Sequence, residues 1–137
     1  MDLLQTFKTY LDIRQISYIT DNDVVIFSYD TWNLMLFYEK ESPSYLRMAL
    51  PKIDSIDEDF DKGSYRSALR IAAEYKVVKA VIIDDSLWFL FENFLPDYDY
   101  SNIKLFDRAI KTLVSVGNEW RNLNIKETTS KEEIANS

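Results

Sequence analysis

Two short stretches of this chain are apolar at both odd and even positions, and that restricts the fold more than any other feature. In Trp32 to Glu39, one parity carries Trp32, Leu34, Leu36 and Tyr38, while the other carries Met35 and Phe37. In Leu87 to Phe94, Trp88, Leu90 and Phe94 oppose Leu87, Phe89 and Phe91. Successive side chains of a strand point to opposite faces, so a sheet with one wet face alternates apolar with polar. Here both faces call for cover. Either twist, loops and helix ends wrap the second face, or that face is an apolar patch for self-association or a partner segment.

The remaining pattern places these strands in an α+β chain. Leu3, Leu4, Phe7, Tyr10 and Leu11 recur at three- and four-residue spacing behind Asp2, which predicts a capped amphipathic helix from about Asp2 to Ile16. Asp21-Asn22-Asp23 reads as a turn. Val24–Tyr29, Trp32–Glu39 and Tyr45–Leu50 then form a three-stranded antiparallel meander, since short connections join adjacent antiparallel strands. Pro51 to Asp61 is an acidic connector. A second helix is expected over Lys62 to Lys76, with Tyr65, Ala68, Leu69, Ala72, Ala73 and Tyr75 on one stripe. Val77–Ile83 and Leu87–Phe94 make a hairpin around Asp84-Asp85-Ser86. The closing helix, about Ser101 to Asn122, carries Ile103, Phe106, Ile110, Leu113, Gly117 and Trp120 on its apolar side. Residues 1–123 are thus expected to form a single domain, with 124–137 a polar, disordered tail.

Composition excludes several chemistries. The 137 residues contain no Cys and no His, which removes disulfides, thiolate metal sites and Ser–His or Cys–His nucleophile systems. Gly63 and Gly117 are the only two glycines and stand alone, so phosphate-binding and dinucleotide loops are absent. The net charge of -7 opposes nucleic-acid binding unless cations cluster. Arg66 with Arg70, and Lys104 with Arg108, lie at helical spacing beside acids and read as solvated faces. Met1 to Lys8 lacks the basic and apolar regions of a signal peptide, and no stretch is long enough to span a bilayer. The expected address is the cytoplasm.

The carboxylates offer weak candidates. Asp57, Asp59 and Asp61 alternate as calcium ligands would, but Lys62 and Ala68 occupy the positions where such a loop needs Gly and Glu. Asp84-Asp85 sits in a turn that faces water. Glu39 and Glu92 fall within apolar runs, where a partner cation or an edge position is the ordinary explanation. No catalytic residue, cofactor or metal is expected.

The element order and hydrophobic spacing from about Leu3 to Trp120 resemble the type III secretion chaperones and the YbjN-like family of candidate bacterial sensory-transduction regulators. The similar features are the meander Val24–Leu50, the acidic link into a small-residue helix, the hairpin Ala80 to Trp88 and the long closing helix. The resemblance implies a non-enzymatic, acidic, cytoplasmic protein, commonly a homodimer that presents sheet and helix surfaces to a protein client. The expected function is a protein-binding module, chaperone-like or regulatory, with Trp32, Tyr38 and Trp88 as apolar anchors. The alternative is an acidic immunity- or inhibitor-type protein whose Asp54, Asp57, Glu58, Asp59 and Asp61 meet a basic partner.

Overall fold

The computed structural model describes the backbone of residues 2–95 and 99–136, and the side chains of 2–95 and 103–123. Helix α1 (Leu3–Ile13) starts where the Asp2 carboxylate accepts the Gln5 N–H at 2.8 Å, satisfying one orphan donor of the first turn. Its buried residues Leu3, Phe7, Tyr10 and Leu11 keep the spacing that makes one stripe. Strands β1 (Tyr18–Asp21), β2 (Val24–Tyr29), β3 (Trp32–Phe37) and β4 (Tyr45–Ser55) follow, then α2 (Lys62–Glu74), β5 (Val78–Ile83), β6 (Ser86–Phe94) and α3 (Asp99–Asn136). The sheet is antiparallel throughout, in the order β1-β2-β3-β4-β6-β5.

Six strands replace the five expected. Tyr18-Ile19-Thr20-Asp21 pairs with β2 through a tight turn at Asn22, whose φ is 54°. The tight turn at Asp30-Thr31 and the one at Asp84-Asp85 each have both central residues at positive φ, which suits the right-handed twist of the strands they join. β4 also runs past its expected end. Its ladder to β3 stops at Ala49, so Pro51 costs no bond on that side, and the ladder to β6 slips between Leu50 and Asp54 at a bulge. Lys52 takes the left-handed conformation there, with φ 47°.

All three helices pack on one face of the sheet. Phe7, Phe27 and Phe106 meet there, and Phe89 packs against Trp120. Two expected stripes need correction. In α2 the buried residues are Ala68 and Ile71, while Leu69 is 66% exposed and Tyr65 is also exposed. In α3, Phe106, Ile110, Leu113 and Trp120 are buried as expected, but Ile103 is exposed at the helix's outer end. Gly117 has a steric reason to be glycine. A Cβ there would lie 2.7 Å from the Trp32 ring, which rests directly on the helix backbone. The expectation of a disordered tail falls on residues 124–137, whose side chains lie outside the described residues.

Candidate functional site

Strand alternation sends a second set of side chains to the opposite face, where no described helix residue packs. The registers align Ile19, Ile26, Met35, Ala49, Leu90 and Lys79 in one row across all six strands. Ala49, Trp88 and Leu90 form a buried cluster on this open face, with Met35, Phe37 and Val81 packed half-buried around them. Trp88 is 8% exposed, and its buried Nε1–H has no hydrogen-bond partner among the described residues. A buried donor left without an acceptor costs about 1–3 kcal/mol.

Next to the apolar patch lies an ion cluster. Glu92, on the same face of β6, is nearly buried and receives Lys79 Nζ at 2.5 Å and Arg47 Nη2 at 3.3 Å. Tyr45 Oη donates to the same carboxylate. Arg47 also reaches Glu39 at 2.8 Å. Burial alone pushes the Glu92 carboxyl upward. Hydrogen bonds from Lys79 and Tyr45, with the charges of Arg47 and Lys79, overcome that and hold it below the ordinary carboxylate range. The bond to Glu92 correspondingly raises the Tyr45 phenol. Both glutamates found within apolar runs therefore have a partner cation. Beyond this cluster, Glu39, Ser42 to Tyr45, Arg47 and Phe94 line a shallow cavity of about 530 Å³, with Phe94 76% exposed at its rim.

The three expected anchors separate. Trp88 lies at the centre of the open face. Trp32 and Tyr38 lie on the helix-covered face, against the main core. Trp32 is held there, since its Nε1–H donates to Asn118 Oδ1 at 2.9 Å and the Arg121 guanidinium sits 4.2 Å from the ring centre. Met35, Phe37, Ala49, Val81 and Leu90 join Trp88 instead. For Met35, Phe37 and Leu90 the signal was the double parity of their strands; Ala49 and Val81 join through the register.

The acidic connector is largely occupied with local structure. Asp54 accepts the Ser55 N–H, Asp57 accepts the Asp59 N–H, and Asp61 caps α2 by accepting the Ser64 N–H at 2.9 Å. Among the described residues no group of three or more acids is placed to hold a metal ion, and no helix is long and apolar enough to cross a membrane.

Neither a family model nor a curated protein matches the chain by sequence. A solved structure is similar in fold: YbjN from E. coli, described as "a putative transcription regulator", superposes with a TM-score of 0.68. The match covers 88% of this chain and 93% of that one at 12% identity. The likeness establishes a YbjN-like fold.

Proposed function

We propose that the chain is a non-enzymatic protein-binding module, chaperone-like or regulatory, which works as a dimer and takes its client on the open face of the sheet. The observation that carries this reading is the cluster of Ala49, Trp88 and Leu90, ringed by Met35, Phe37 and Val81, on a face where no described helix residue packs. A contiguous apolar patch of this kind, rimmed by charges, suits a segment of another protein. The Glu92 cluster supplies the polar rim. The regulator description of the similar YbjN structure agrees with a binding role.

A photo-crosslinking residue placed in turn at Met35 and Val81 on the open face, and at Lys111 on the exposed side of α3, tests this. The same adduct from Met35 and Val81, with none from Lys111, is the expected result. Adducts from Lys111 alone, or equally from all three, would overturn it.

A further inference from the structure

The two edges of the sheet are guarded differently. β1 is four residues long, ends in Asp21, and exposes Ile19 as its large apolar side chain. β5 is six residues long and keeps unbroken register with β6, without proline or bulge. The Glu92 N–H donates to the Val77 carbonyl, so alternation along the ladder turns the backbone groups of Lys79, Val81 and Ile83 toward β6. Those of Val78, Ala80 and Ile82 point outward along the rim. Sheets usually block such an edge with a charge or a kink. Here the strand's cation, Lys79, is drawn inward onto Glu92. The rim is flanked by apolar groups instead: Ile82 is 52% exposed, and Leu69 is exposed on the flank of α2 turned away from Glu74 and α3.

We infer that this edge pairs with the same edge of a second copy, β5 against β5, antiparallel about a two-fold axis at Ala80. The result is one continuous sheet of six strands from each copy. Centring on Ala80 sets Val78 opposite Ile82 of the partner subunit, so every outward-pointing backbone group meets another. The small Ala80 side chain sits where two copies must approach most closely. Charge is self-complementary in this direction alone. Lys76 precedes the strand and Asp84 follows it, so antiparallel pairing brings the cation of each copy beside the carboxylate of the other. Parallel pairing would set like charges together. One patch that matches itself closes a dimer without leaving a sticky edge. The pleat keeps each copy's Val81 on the open face, so the two apolar patches become neighbours across the axis. This names the partner and edge for the dimer in the reading above, and is independent of the client in that reading.

Light scattering after size exclusion at micromolar concentration tests the pairing without any client. The wild type is expected at twice the chain mass of 16.2 kDa. Ile82→Lys, at an exposed position, is expected near the single-chain mass with an unchanged circular-dichroism spectrum. Lys76→Glu and Asp84→Lys should each weaken the dimer about fivefold, as exposed ion pairs do, and the two together should restore it. These surface variants decide the matter should Ile82→Lys fail to fold. A monomeric wild type, a folded Ile82→Lys dimer, or charge variants without effect on the dimer would overturn the inference.

Discussion

The two faces of the sheet are built from similar residues and serve different ends. On the helix side, Phe7, Phe89, Phe91 and Phe106 are fully buried in one cluster that reaches every helix. On the open side, Ala49, Trp88 and Leu90 pack against one another, and Met35, Phe37 and Val81 around them remain half-covered. The same strand supplies both sides: Phe89 and Phe91 point into the core, Trp88 and Leu90 away from it. An apolar residue in a strand thus marks a core position only when another element covers its face. Among the described residues the helices cover one face only, and the other is the face proposed above for association.

That contrast can be broken most severely from the covered side. Phe106→Ala removes a fully buried ring that touches Phe7 and Tyr10, and should cost about 3–5 kcal/mol in denaturant unfolding. A cost below roughly 1 kcal/mol would mean that α3 does not supply the core face. Gly117→Ala should come next, at about 1–3 kcal/mol, because its Cβ would collide with the Trp32 ring at 2.7 Å. Trp32 fluorescence should change with it.

The open side should respond more weakly, and through charge. Glu92 has a folded-state pKa below its unfolded value, so its contribution to stability is present above about pH 4.5 and fades as pH falls through the folded value. The stability gap between wild type and Glu92→Gln should therefore narrow on acidification below that point; a gap independent of pH would exclude the ion cluster as its source. The smallest effect is expected for Val81→Thr, within about 0.5 kcal/mol by thermal melting, since no described helix residue packs against it.

Much of this contrast is legible in the amino-acid sequence, and what is not has physical causes. The doubly apolar strands raise both possibilities for the second face, but the sequence cannot tell which parity the helices cover. Trp32 and Tyr38 therefore share a list with Trp88, although they lie across the sheet from it. β1 escapes notice because four residues, with Tyr18 and Ile19 side by side, leave too short a period to read, although Asn22 supplies the turn. Leu69 is misplaced for a related reason. Helical spacing puts it beside Ala68 and Ala72 on a stripe, but Ile71 fixes the true inward direction, and Leu69 is left exposed. Glu92 is anticipated in kind, as a glutamate in need of a cation, but its partners come from β4 and β5 and only the register reveals them.

The central claim is that the open face contributes to association and little to folding, and one variant separates the two. In Phe37→Glu the new carboxylate would lie opposite Arg47, which tolerates it, on the half-buried rim of the open patch. Thermal melting and crosslinking from Met35 are read on the same sample. The account predicts a melting temperature within about 4 °C of wild type, as for a change of roughly 0.5 kcal/mol, together with loss of the Met35 adduct. A drop as large as that of Phe106→Ala, with the adduct retained, would contradict it.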